Sequence, residues 1–284
     1  MTVTKYGKLT VVPIEKIVME TPASATTPVK SIVVKIPEMA QKALPGQFVM
    51  LWLLGNDEKP MGIASSDPIN GKLTFAIARI GKTTKALHQL KEGALIGVRG
   101  PYGKSFSLKG KRIAIIGGGT GIAPTKFLAE KAIEEGLEVT LVHGAKSKKE
   151  LAFRSYFEAL AQKKSLFHYF PTTDDGSYGF KGFATDGLQH LYQNNPNWDY
   201  LYTCGPERMM YKVFQLATTW SLPLEASLAD RYFKCAIGLC GQCSLDPLGI
   251  RLCIEGPVLP KETLAKLTDF GKYGRDKYGK KYPL

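Results

Sequence analysis

Residues 112–124 read R-I-A-I-I-G-G-G-T-G-I-A-P. The apolar run Arg112–Ile116 meets Gly117-Gly118-Gly119-Thr120-Gly121 without a break, and a helical pattern follows from Pro124 to Glu135. Strand, glycine loop and helix in that order present bare amides and a helix dipole to a phosphate. The alternation continues downstream. Leu137–His143 reads as a strand, Leu151–Gln162 as a helix and Leu166–Phe170 as a strand. A short helix is predicted over 186–193 with Asp186 as its cap, then a strand at Tyr200–Thr203 and a helix at Arg208–Ser221. This repetition predicts a parallel sheet with helices on both faces, and a ligand beyond the carboxyl ends of the strands. The glycine loop and Thr203-Cys204-Gly205-Pro206 both fall at such ends.

Upstream the pattern changes. Leu9–Met19, Val29–Ile36, Gln47–Leu54 and Lys72–Arg79 are short runs rich in valine, isoleucine and aromatics, punctuated by Pro45-Gly46 and Asn70-Gly71. Regular short strands predict an antiparallel barrel. A short helix is expected from Gly81 to Leu90, and Gly100-Pro101-Tyr102-Gly103 reads as the turn that closes the barrel.

Downstream lie four cysteines, Cys235, Cys240, Cys243 and Cys253, spaced C-x4-C-x2-C-x9-C. A C-x4-C-x2-C run with a distant fourth cysteine is the plant-type ligand pattern for a [2Fe–2S] cluster. Gly238 and Gly241 suit the tight loop such a cluster needs. Zinc and disulfides are the competing readings. Zinc sites more often show two C-x2-C pairs, and here there is one; nothing else points to an oxidising compartment. The expected architecture is therefore α/β plus all-β, in three parts: a barrel over 1–106, a nucleotide-binding α/β domain over 107–224, and a cluster module with a basic tail over 225–284.

Composition narrows the function. The 284 residues carry a formal net charge of +13 and are 44% hydrophobic, ordinary for a globular chain. Lysines and arginines are scattered, with enrichment at Lys146–Lys149 and Lys272–Lys281, and no aromatic-interleaved basic stripe exists. Nucleotide phosphates or an acidic partner fit this charge better than nucleic acid. No apolar run approaches the roughly 20 residues that span a bilayer. Met1 to Val12 does not read as a signal peptide, so a soluble cytoplasmic protein is expected. His143 and His168, in or at the end of strands, read as structural.

Three segments of the first region resemble the flavin domain of the ferredoxin–NADP reductase superfamily. Pro45-Gly46-Gln47-Phe48-Val49 resembles the strand before the flavin motif. Lys59-Pro60-Met61-Gly62-Ile63-Ala64 aligns with the motif itself, which implies that Lys59 meets the FAD pyrophosphate and that the next residues line the isoalloxazine ring. Gly81-Lys82-Thr83-Thr84 offers amides and hydroxyls to a phosphate at a helix start. Two positions depart from the family pattern. Lys59 replaces an arginine, keeping the charge but losing the bidentate fork, and Gly62 replaces a serine or threonine near flavin N5. The loop Gly117-Gly118-Gly119-Thr120-Gly121 and Cys204-Gly205-Pro206 resemble the same superfamily's nicotinamide site, with Cys204 near the nicotinamide. Taken alone, Cys204 reads equally as a small core residue. Asp174-Asp175-Gly176-Ser177 resembles a pyridine-nucleotide loop of that superfamily.

The order barrel, nucleotide domain, cluster module, and above all Ser227 to Cys253, resemble the electron-transfer subunits of type 1B dihydroorotate dehydrogenases. The resemblance implies FAD, a [2Fe–2S] cluster and NAD, with NADP left open by the basic run after His143. It also implies an FMN-containing dihydroorotate dehydrogenase catalytic subunit as partner, in a heterotetramer of two of each, serving UMP synthesis. The basic tail from Thr268 is expected to pack on a partner. The NAD(P)H-oxidising FAD/[2Fe–2S] subunits of cytosolic hydrogenases and transhydrogenases share these parts. A non-enzymatic iron–sulfur sensor is the remaining alternative, motivated by Lys59 and Gly62.

Overall fold

The computed structural model describes residues 4–6, 8–195 and 197–284. Met1, Thr2, Val3 and Gly7, within the stretch read for a leader, and Pro196 lie outside them.

The first region forms seven antiparallel strands: β1 (Thr4–Tyr6), β2 (Leu9–Met19), β3 (Val29–Lys35), β4 (Phe48–Trp52), β5 (Glu58–Asp67), β6 (Lys72–Ala78) and β7 (Leu95–Tyr102). Their order is β1-β2-β3-β6-β5-β4-β7, and a further β2–β7 pairing closes β2 to β7 into a six-stranded barrel. Period-two alternation drives it. In β6, Leu73, Phe75 and Ile77 are fully buried while Lys72, Thr74 and Ala76 between them are half-buried. Helices α1 (Pro37–Ala40) and α2 (Lys82–Gln89) complete this part. One expectation is corrected. Gly100-Pro101-Tyr102 is not a turn but the end of β7, whose pairing with β4 shifts register between Phe48 and Met50. The flavin motif is itself a strand, β5, paired with β4 from Phe48–Gly62 to Trp52–Glu58.

The second region holds β8 (Arg112–Gly118), α3 (Ile122–Glu134), β9 (Glu138–Ala145), α4 (Arg154–Lys163), β10 (Phe167–Thr173), β11 (Phe180–Lys181), α5 (Ala184–Asn194), β12 (Tyr200–Cys204), α6 (Glu207–Thr219) and β13 (Leu224–Ser227). The sheet order is β11-β10-β9-β8-β12-β13, parallel throughout. Alternate residues of β8 feed two cores. Ile113 and Ile115 pack with Leu128 and Ala132 of α3 and Phe157 of α4. Ala114 and Ile116 pack with Leu188 of α5 and Val213 of α6. Helices on both faces follow from a strand that is apolar on both sides. Asp186 does not cap α5 as expected. The helix begins at Ala184, and Asp186, in its first turn, accepts the Phe183 amide at 2.9 Å.

The third region is short: β14 (Ser244–Leu245), β15 (Ile250–Arg251), α7 (Leu252–Glu255), β16 (Val258–Pro260), α8 (Lys261–Leu264), β17 (Tyr273–Arg275) and β18 (Lys281–Pro283). It does not stand alone. β16 adds antiparallel to β13, so the otherwise parallel sheet ends on a strand from the cluster module. Phe233, Leu245, Leu252 and Phe270 join the core beneath α5 and α6. The basic tail forms the β17–β18 hairpin.

Candidate functional site

Two clefts lie between the barrel and the nucleotide-binding region. The first, of about 480 Å³, is bounded by Lys59, Pro60, Met61 and Gly62 of β5, by Thr120 and Gly121, and by Cys204 and Gly205. Residues 229–233 of the cluster module close one side. The second, of about 660 Å³, is bounded by Gly118, Gly119, Thr120, Pro206, Arg208 and Lys212, with Lys146 and Asp174 at the ends of β9 and β10. Ile80 and Thr120 belong to both, so the two clefts adjoin.

Close backbone packing shapes their shared floor. β8 and β12 are neighbours, and their ends run out together as the glycine loop and Cys204-Gly205-Pro206. A Cβ on Gly121 would lie 2.3 Å from the carbonyl carbon and oxygen of Cys204, so only glycine fits there. Gly117 is packed against Thr125 and Ile122 and lines neither cleft. Cys204 is buried, and burial pushes its thiol up to about 12. The thiol therefore stays neutral at any ordinary pH.

The flavin-like segments divide. Lys59, Pro60, Met61 and Gly62 line the first cleft. Ile63 is fully buried in the barrel core and Ala64 in the core shared with the nucleotide domain, so neither reaches it. Gly62 faces Pro124 at the start of α3; a Cβ there would meet Pro124 Cδ at 3.5 Å, an ordinary contact. Of Gly81 to Thr84, only Thr84 lines the cleft. Its Oγ1 accepts the amides of Ile80 and Gly81 at 3.0 Å each and holds the start of α2. Thr83 is buried beneath that helix.

The cysteine loop folds with left-handed backbone at Ala236 and Gly238 (φ 62° and 74°). This curls its amides toward sulfur. Gly238 donates to Cys253 Sγ at 3.2 Å, and Leu239 and Cys240 to Cys235 Sγ at 3.3 and 3.4 Å. Burial raises the Cys235 thiol, but the amides of Cys240, Ile237 and Leu239 together with the Cys240 side chain outweigh it and leave the thiol lowered to about 6. Burial pushes Cys253 up to about 12, and its side chain pairs with Cys243. The thiols thus fall as two pairs, Cys235 with Cys240 and Cys243 with Cys253. Two cysteine pairs with amides aimed at sulfur fit a two-iron cluster.

One residue that the sequence reading passed over ties barrel to cluster. Arg99 of β7 grips Glu58 with two nitrogens at 2.7 and 2.5 Å and donates its third to the Cys235 carbonyl at 3.0 Å. Beside it the Phe48 and Phe233 rings pack 4.7 Å apart, centroid to centroid. Arg99 sits in a strand with no motif around it, and only the fold brings residues 99 and 235 together.

Comparison with known proteins agrees with this geometry. The oxidoreductase FAD-binding domain family matches residues 16–106, and the oxidoreductase NAD-binding domain family matches 115–215. The iron–sulfur cluster binding domain of dihydroorotate dehydrogenase B matches 230–265. A Methanocaldococcus jannaschii protein named as a probable dihydroorotate dehydrogenase B (NAD(+)) electron transfer subunit is 44% identical over 237 residues, spanning 84% of this chain and 87% of the relative. A Methanothermobacter thermautotrophicus protein of the same name is 42% identical over 246 residues, spanning 87% and 89%. This chain belongs to the family of dihydroorotate dehydrogenase B electron transfer subunits. Its cofactors are accordingly FAD, a [2Fe–2S] cluster and NAD.

The fold is also that of a solved structure described as an NADH-dependent reduced ferredoxin-NADP oxidoreductase, with TM-score 0.78 and 28% identity over 91% of this chain and 90% of that one. A Neisseria gonorrhoeae ferredoxin NADP+ reductase shares the fold alone, at TM-score 0.63 and 20% identity over 76% of this chain and 92% of that one. No helix among the described residues is long and apolar enough to cross a membrane.

Proposed function

We propose that this chain carries electrons between an FMN-containing subunit that oxidises dihydroorotate and NAD+, in the cytoplasm, as half of a heterotetramer of two of each subunit. The reading assigns FAD to residues 1–106, the dinucleotide to 107–224 and the cluster to 225–284. A flavin exchanges a two-electron hydride for single electrons, and a [2Fe–2S] cluster carries single electrons.

Lys59 supplies the positive charge for the pyrophosphate, while Pro60, Met61, Gly62 and Thr84 bound the flavin. Gly118, Gly119, Thr120 and Gly121, with Gly205 and Pro206, receive the dinucleotide, and Cys204 stands beside the nicotinamide. Cys235, Cys240, Cys243 and Cys253 hold the cluster. The observation that carries the reading is the sequence of contacts: the dinucleotide cleft adjoins the flavin cleft at Thr120, and the barrel wall touches the first cluster ligand through Arg99. On the far side the loop is exposed. Cys240, Ile237 (48%) and Leu239 (80%) face outward, with Leu248 and Ile254 also exposed. Apolar side chains around an electron-carrying loop suit a docking face for the catalytic subunit.

The test is NAD+ reduction driven by dihydroorotate. The chain reconstituted with its catalytic subunit is expected to support it, and the chain alone is not. Cys240→Ser in the complex is expected to abolish it while NADH-to-dye transfer remains. A Cys240→Ser complex that reduces NAD+ at the parent rate would remove the cluster from the route. The whole-length likeness to the reduced ferredoxin-NADP oxidoreductase structure favours a second reading, an NAD(P)H-handling subunit of another redox complex. A parent complex inactive with dihydroorotate but active with reduced ferredoxin would select it.

A further inference from the structure

The family match ends at residue 265, and residues 266–284 lie beyond it. Yet three of these residues, Arg275, Asp276 and Tyr282, line the first cleft opposite β5. The β17–β18 hairpin is held there from two sides. On one side stands Asp246, in the loop between Cys243 and Cys253. Its Oδ2 accepts Tyr273 OH at 2.8 Å and Arg275 Nη2 at 2.6 Å and pairs with Lys281 Nζ at 3.2 Å. On the other side the Arg208 guanidinium, which lines the dinucleotide cleft, donates to the Leu284 carbonyl. The hairpin thus borders the first cleft, and the chain end beyond it is tied to a residue of the second.

Tyr282 is built into this position. It pairs with Gly274 across the hairpin, and a Cβ on Gly274 would lie 2.7 Å from Cζ and the hydroxyl oxygen of Tyr282. Any larger residue at 274 would push the ring away. Tyr282 is 46% exposed while it lines the first cleft. An aromatic face and a guanidinium at a cleft edge are the groups that stack on, and donate to, a flat heteroaromatic ring bearing carbonyls.

We propose that the hairpin is a wall of the flavin site, with Tyr282 and Arg275 as flavin-contacting residues. The proposal rests on the assignment of FAD to the first cleft. Chain stripped of flavin and titrated with FAD, followed by flavin fluorescence, separates the two. Tyr282→Ala is expected to raise the FAD dissociation constant about three- to tenfold and to brighten bound-flavin emission, with cluster absorbance unchanged; Tyr282→Phe is expected to restore parent behaviour. A second measurement needs no variant. FAD is expected to slow tryptic cleavage of the parent at Lys277, Lys280 and Lys281. Parent-like affinity and emission in Tyr282→Ala, or cleavage indifferent to FAD, would overturn the proposal while leaving the flavin assignment standing. A parent that binds no FAD would overturn the assignment itself.

Discussion

At the scale of single residues, two glycines make opposite demands. Gly121 has backbone of Cys204 and Gly205 within 2.4 Å of where a Cβ would go. Gly121→Ala is therefore expected to force apart the ends of β8 and β12, at a cost of about 1–3 kcal/mol or more. A lowered thermal midpoint with weakened NADH binding is the expected result; parent-like values for both would contradict the packing described. Gly62→Ser meets only the ordinary contact at Pro124 and is expected to fold with an unchanged midpoint and full FAD content. Both glycines were legible as motif members in the sequence, but which one tolerates a side chain was not. Motif membership records what lies near a ligand, whereas tolerance depends on which distant backbone passes behind. Ile63 and Ala64 show the same limit from the other side. They lie in the flavin motif, and strand alternation and a register shift in β5 turn them into the cores.

At the scale of elements, β7 carries the link that the sequence concealed. Arg99→Ala would leave Glu58 without its fork and the Cys235 carbonyl without its donor. Hydrogen bonds to charged groups are each worth about 1.5–3 kcal/mol, so the cysteine loop is expected to loosen against the barrel. Cluster absorbance should bleach faster in mild denaturant while FAD content holds; equal bleaching rates would show the contact to be idle. β9 brings a second expectation. His143 is fully buried with its Nδ1 3.0 Å from Tyr169 OH, and burial lowers its pKa from 6.5 to about 3. Between those values the unfolded chain binds a proton that the folded chain refuses. Stability should therefore fall as pH drops from 6.5 toward 3, by at most about 1.4 kcal/mol per pH unit. Thermal midpoints of parent and His143→Gln at pH 7 and pH 5 check this, the variant being expected to lose less; equal losses would assign the acid sensitivity elsewhere. The strands and helices were legible because their periods are, including the double-sided apolar pattern of β8. The misplaced start of α5 and the strand read as a turn at Gly100–Tyr102 arose where proline and glycine occupy the end of a regular element.

At the scale of the whole molecule, the three regions form one continuous body. Barrel, sheet and cluster module share cores, and β16 carries the module onto the nucleotide-binding sheet. The cysteine spacing was enough to expect the cluster, and the resemblance of the barrel and glycine-loop motifs to the reductase superfamily implied FAD and NAD. The hairpin was not legible, because a basic, glycine-containing tail gives no periodic signal and its anchors, Asp246 and Arg208, lie far away in the chain. The central claim is that dinucleotide, flavin and cluster communicate within this single chain. Anaerobic addition of NADH to the isolated holo-chain, with flavin absorbance and the low-temperature paramagnetic signal of the cluster recorded together, tests it most directly. Flavin bleaching accompanied by the cluster signal is expected in the parent, and flavin bleaching alone in Cys240→Ser. Flavin bleaching in the parent with no cluster signal would contradict it.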